Sequence, residues 1–259
     1  MPSATERLLV LVHGSSSTDL QWTRAGHDHG AALARDLGYT PVYVRYNSGL
    51  HISTNGRTLS SLLEVLVNAW PARCAEITLL GHSMGGGLVA RSAHSGETCG
   101  WRRQLPRLVC LGSPHHGAPL ERWGSVVERL LDLSAYSAPV GRLGRIRSAG
   151  LTDLRFGNVL DDDWNDRSRF SPAGDRRRGL PLPDEVDCFA VAGTTATAMA
   201  QNLPGDGLVP VASALGRHPS SPDLTLAFPS EHQCIALGTN HLGLLHREAV
   251  YDKLRSWLT

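Results

Sequence analysis

Ile77-Thr78-Leu79-Leu80-Gly81-His82-Ser83-Met84-Gly85-Gly86-Gly87-Leu88-Val89-Ala90 decides the fold. An apolar run ends on a glycine, a serine follows two residues later, and an apolar helical pattern starts after the next glycines. Gly81-His82-Ser83-Met84-Gly85 fits G-x-S-x-G, the turn that holds a serine at a strained strand-to-helix junction. Side chains two residues before and after such a serine must be almost absent, which explains Gly81 and Gly85. The chain has 27 glycines, so the five residues alone carry little weight. The strand pattern before them and the helix pattern after them carry more. The plain alternative is a glycine-rich turn with an idle serine.

Outward from this turn the pattern repeats. Leu8 to Val12 is an unbroken apolar run, as expected of a parallel strand covered on both faces. Ala31 to Leu37 reads as a helix ended by Gly38, and Pro41 to Tyr46 as a second strand. Leu59, Leu62, Leu63, Leu66 and Val67 recur at helical spacing, stopped at Trp70 by Pro71. Ile77 to Leu80 is the third strand, Leu108 to Leu111 the fourth, Val186 to Val191 the fifth and Leu224 to Phe228 the sixth. A terminal helix is expected from about Leu242 to Leu258. Alternating strands and helices imply an α/β fold, a mostly parallel central sheet with helices on both faces.

Between Gly117 and Glu185 the rhythm stops. No strand is convincing there, and 11 arginines face 11 acids, including Asp161-Asp162-Asp163 and Arg176-Arg177-Arg178. Leu130, Leu131 and Leu133 suggest one helix; Gly141 to Gly150 and Ser171 to Pro183 read as loops. An insertion of that length in a compact domain is usually functional, so about 117–185 is expected to be a cap or lid inserted into one domain spanning 1–259. A solvated decoration is the alternative.

Composition excludes several classes. The 259 residues are 41% hydrophobic and 19% charged, with a net charge of +1, enough for one self-sufficient core. A balance so near zero gives no footprint for nucleic acid or an anionic membrane. No apolar run is long enough to cross a bilayer, and none has the flanks of a secretory leader, so a cytoplasmic protein is expected. Five cysteines argue against a disulfide framework; Cys110, Cys188 and Cys234 read as buried thiols. No phosphate-binding lysine loop or G-x-G-x-x-G run occurs, and no cofactor is expected.

Val12-His13-Gly14-Ser15 follows the first strand directly. A tight His13-Gly14 turn can aim the Ser15 amide at the place where an oxyanion forms, together with the Met84 amide at a helix N-terminus.

These blocks resemble the α/β-hydrolase superfamily, in particular its lipase and esterase branch, and are similar to GPI-inositol-deacylase-like lipases. The matching pieces are Leu-Val-His-Gly at 11–14, Gly-His-Ser-Met-Gly-Gly at 81–86 and Ser-Pro-His-His-Gly-Ala-Pro at 113–119. Gly-Asp-Gly-Leu-Val-Pro at 205–210 and Asn-His-Leu-Gly-Leu-Leu at 240–245 complete them. Their order agrees with the family's serine, then acid, then histidine. The resemblance implies an α/β-hydrolase fold with Ser83 as nucleophile, Asp206 as the acid and His241 as the base. His232 is the second candidate base; Asp187 and Asp223 are weaker acids, and Asp161 to Asp163 would have to fold inward. His13, Gly14, Gly81, His82 and Gly85 would support the site. His246 is expected to be structural.

A metal is the competing chemistry. His115-His116 are adjacent and should point apart, whereas His27 and His29 could share one face of an extended segment. No further ligand spacing completes either, so no metal is expected. The implied activity is hydrolysis of an ester with an apolar acyl group, on a small molecule or on a lipid met by transient surface contact. A thioesterase, an inositol deacylase or an acyltransferase would use the same residues, and a silent binding module would use none.

Overall fold

The computed structural model describes residues 4–117, 148–165, 177 and 179–259. Six strands form one sheet: β1 (Arg7–Val12), β2 (Thr40–Val44), β3 (Glu76–His82), β4 (Arg107–Leu111), β5 (Asp187–Gly193) and β6 (Gln233–Ala236). Their order is β2-β1-β3-β4-β5-β6, and every pairing is parallel. Such a sheet needs a cover on both faces, and the alternation along β1 shows how it is met. Leu8, Val10 and Val12 join one core with Ile52, Leu59 and Leu63 of α2 (Ile52–Ala69) and Leu88 and Val89 of α3 (Met84–Ser95). Leu9 and Leu11 join the other with Ala32 and Leu33 of α1 (His29–Leu37) and the C-terminal helix. Each leucine, valine or isoleucine side chain among them, removed fully from water, contributes about 1.5–3 kcal/mol.

Local signals explain the boundaries. The Asp28 carboxylate caps α1 by accepting from the Ala31 amide at 3.0 Å, and Gly38 ends it at φ 72°. α2 starts seven residues before the apolar pattern alone suggests, because its first turns pack on α3. A Cβ at Gly56 would lie 2.5 Å from Cγ of Arg91.

Two expectations are corrected. Leu224 to Phe228 is no strand: Leu224 ends a 3-10 turn (Pro222–Leu224), after which the Leu226 amide donates to the Gly216 carbonyl and the Phe228 amide to the Leu226 carbonyl. Its alternating pattern serves to dip Leu226 and Phe228 into the core, and Pro229 cannot donate to a ladder. The sixth strand is instead the four-residue β6. The terminal helix is likewise split. Gly243–Leu245 is a 3-10 turn, His246 follows it, and α6 proper is Glu248–Leu258.

The described part of the insertion contains no strand, as expected, but it does hold a helix. α4 (Ala149–Phe156) starts at a Ser148 cap, so Gly150 belongs to a helix and not to a loop. Leu151 and Leu154 enter the core. The helix suggested by Leu130, Leu131 and Leu133, and much of the two predicted loops, lie outside the described residues. α5 (Val211–Ala214) is a single short turn. Among the described residues no helix is long and apolar enough to cross a membrane. All five cysteines are free; Cys110 and Cys188 are buried and Cys234 is half-buried.

Candidate active site

Ser83 sits between β3 and α3 with φ 56° and ψ −121°, a conformation that costs a residue with a Cβ about 1–3 kcal/mol. The turn is held from all sides. The Ser83 amide donates to the Leu111 carbonyl at 2.8 Å, and Ser83's own carbonyl accepts from the Gly86 amide at 3.1 Å. A Cβ on Gly81 would strike the backbone of Gly85, and one on Gly85 would strike the Val12 carbonyl. Both glycines of the motif are therefore required by close approach.

The His13-Gly14 loop lies against the serine. A Cβ on Gly14 would stand 3.0 Å from Cβ of Ser83. His13 is buried, stacks on Tyr46 at 4.3 Å between ring centroids, and uses Nδ1–H to donate to the Gly14 carbonyl at 2.8 Å. The Tyr46 hydroxyl donates to the His13 carbonyl at 2.8 Å. Burial lowers the His13 pKa, a shift opposed by the bond to Gly14, so this brace is neutral. Among the described residues neither the Ser15 nor the Met84 amide has a hydrogen-bond partner. Met84 is the first residue of α3, where the helix leaves its amides open and its dipole favours an anion.

Asp206 and His241 come together across 35 residues. His241 Nδ1 lies 2.7 Å from Oδ2 of Asp206, whose side chain is completely buried. The other carboxylate oxygen accepts from the amides of Leu208 (2.9 Å) and Val209 (2.8 Å). The His241 amide also donates to the Asp206 carbonyl at 2.9 Å, so backbone and side chain are tied to the same residue. A carboxylate can only accept, so Nδ1 carries the proton and Nε2 remains the basic nitrogen.

Gly112 joins this pair to the serine. It follows Leu111, which binds the Ser83 amide, and adopts φ 57°. A Cβ there would lie 3.2 Å from Oδ2 of Asp206 and 3.3 Å from Nδ1 of His241. His82 supplies a second link. Its Nε2 donates to the His241 carbonyl at 3.1 Å and its ring lies 4.7 Å from that of His241. Burial, then the neighbouring His241, pushes the His82 pKa well down, which keeps it a neutral donor. Gly112 and Gly193, whose added Cβ would meet Asp206 at 2.8 Å, escape sequence reasoning because lone glycines carry no motif.

The other candidates do not join the Asp206–His241 pair. His232 packs on Phe189 at 4.3 Å, and its Nδ1 is buried with no partner among the described residues. Asp187 opens β5 and is exposed; Asp223 lies in the 3-10 turn. Asp163 does fold inward, but to accept from the Val159 and Leu160 amides. His246 bonds the Leu242 carbonyl at 3.2 Å. His27 and His29 bond each other at 2.8 Å, and His29 bonds the Leu244 carbonyl at 2.9 Å. His116 bonds the Gly216 carbonyl at 2.8 Å while His115 turns towards Phe228. Among the described residues no group of three or more His, Cys, Asp or Glu could hold a metal.

A narrow, partly open cleft has Ser83 in its wall. Its apolar lining includes Ile52, Met84, Pro114, Leu154 and Val159. α4 is fixed there by Asp153, which is fully buried and accepts from the Ile52 amide at 2.8 Å and faces His51 Nδ1 at 3.1 Å.

Comparison with known proteins agrees with this architecture. The mature lipase BlEst2 of Bacillus licheniformis superposes with a TM-score of 0.60 at 16% identity, covering 100% of this chain and 94% of its own. A metagenomic carboxyl esterase, MGS0156, gives 0.55 at 17% identity, covering 99% and 76%. The NocB thioesterase domain from the nocardicin cluster gives 0.51 at 16%, covering 98% and 95%. At such identities the likeness is one of fold. No curated protein matches by sequence. A family model, the PGAP1-like alpha/beta domain, matches residues 8–176, more than half of the chain. The chain therefore belongs to the PGAP1-like alpha/beta domain family, with the fold shared by lipases, esterases and thioesterases of the α/β-hydrolase superfamily.

Proposed function

We propose that the protein is a serine hydrolase of carboxylic esters with an apolar acyl group. The observation that carries this reading is the Asp206–His241 bond of 2.7 Å, tied through His82 and Gly112 to the turn that holds Ser83 at φ 56°. Ser83 attacks the ester carbonyl as His241 Nε2 takes its proton, and Asp206 holds the tautomer and stabilises the imidazolium. The Ser15 and Met84 amides receive the developing oxyanion; each such donor is worth about 2.7–4 kcal/mol in the transition state. The alcohol departs with the proton from His241, and water activated by the same nitrogen releases the acid.

The cleft favours an apolar acyl chain. The described part of the segment from about 117 to 185 contributes Leu154 and Val159 to its wall. A thioester would pass through the same steps, because fold and residues do not set the leaving group.

Hydrolysis of p-nitrophenyl acetate and hexanoate by wild type and Ser83→Ala tests the proposal. Wild type should turn over both, the hexanoate with the higher kcat/KM, and Ser83→Ala neither. Undiminished turnover by a folded Ser83→Ala overturns the assignment.

A further inference from the structure

Two residues in the wall of the cleft beside Ser83 each carry a buried polar atom with no partner among the described residues. Nε2 of His115 and Oδ1 of Asn158 are both buried and, among the described residues, without a hydrogen-bond partner, and both residues line the cleft that contains Ser83. Asn158 is 4% exposed, and its amide nitrogen is turned towards Asp153 Oδ1 at 3.4 Å, which leaves its carbonyl oxygen as a pure acceptor. His115 extends into a second cleft that adjoins the first through Gly87, Gly157 and Val159. Burial pushes the His115 pKa down to about 3, so the ring is neutral and can donate from one nitrogen. Buried polar groups are nearly always paired, and those left open near reacting atoms point to a ligand group that pairs them.

We propose that His115 and Asn158 select esters that carry a hydroxyl group near the reacting carbonyl. A hydroxyl has the chemistry to pair with either atom, since it can accept from an imidazole N–H and donate to an amide oxygen. A plain hydrocarbon would leave both unpaired, which is how a polar site rejects an analogue lacking its partner. This inference rests on the ester-hydrolase reading of Ser83 and adds the substrate class. The hydroxyl can sit on the acyl or the alcohol half, and the test separates the two.

Hydrolysis is measured by product chromatography in two arms, each rate divided by the alkaline rate of the same ester. The acyl arm compares methyl hexanoate with its 3-hydroxy and 6-hydroxy derivatives. The alcohol arm compares propyl hexanoate with 2,3-dihydroxypropyl hexanoate. Wild type should prefer the hydroxylated ester by about tenfold or more in kcat/KM in one arm, which assigns the half. His115→Leu and Asn158→Leu should bring that ratio towards one, and His115→Gln should recover part of it. A wild-type ratio within about twofold of one in both arms overturns the proposal, as does an unchanged ratio in folded leucine variants. If a variant does not fold, the wild-type ratio alone decides. Turnover without preference leaves the esterase reading standing; no turnover of any ester overturns both.

Discussion

Ser83 has a left-handed backbone that only a built turn can hold, and the proposed function makes its hydroxyl the nucleophile. Its strain is set by the Gly81–Gly85 approach and by the bond to Leu111, so the side chain is free to change without loss of the fold. Ser83→Ala should therefore keep the urea midpoint of wild type while ester turnover falls by at least about 10⁴-fold. Asp206→Asn should retain the amide contacts of Leu208 and Val209 and lose control of the His241 tautomer, with kcat reduced about 10⁴-fold. A loss under tenfold would mean that another residue orients the base. The place of Ser83 at the strand-to-helix turn was legible because glycine spacing and flanking elements agree, and that of His241 because it lies just before the last helix. His82 was not: its bond to the His241 carbonyl joins residues 159 positions apart, and no local pattern encodes it.

At the scale of elements, the described part of the insertion is more than an ornament. α4 places Leu154 in the core, 2% exposed, and buries the Asp153 carboxylate against the start of α2. Leu154→Ala should cost about 2–5 kcal/mol of unfolding free energy in urea titration. A cost below 1 kcal/mol would return α4 to the status of a detachable cover. This packing was hidden because Gly150 and the surrounding charges read as loop, whereas Ser148 and Gly157 supply a start and a stop on either side of a two-turn helix. The sixth strand was hidden for a related reason. Four residues, Gln233 to Ala236, carry less pattern than Leu224 to Phe228, and register with β5 is what selects them.

The whole molecule carries its histidines in an unusual way, several of them inside. His29 is fully buried, and its burial, opposed by the bond to the Leu244 carbonyl, lowers its pKa to about 4. The unfolded chain takes up that proton near 6.5, so stability is complete above pH 6.5 and falls as pH drops towards 4. His29 alone contributes about 1.4 kcal/mol per pH unit in that window. Urea midpoints at pH 7.5, 6.5, 5.5 and 4.5 should therefore decline steeply, and His29→Gln should lessen the slope by about one proton. An identical slope in the variant would mean that His29 is protonated in the folded state. The doubly covered parallel sheet itself was legible from unbroken apolar runs, since a strand with both faces buried has no polar side to show.

The central claim is that Ser83 is an activated nucleophile, and a fluorophosphonate probe reads this without knowledge of the substrate. Native protein should take up one phosphonyl group, located on the Ser83 peptide by mass spectrometry, while heat-denatured protein and Ser83→Ala take up none. His241→Ala should label far more slowly, and His232→Ala at close to the wild-type rate. Labelling at another residue, or equal labelling of native and Ser83→Ala protein, would contradict the account.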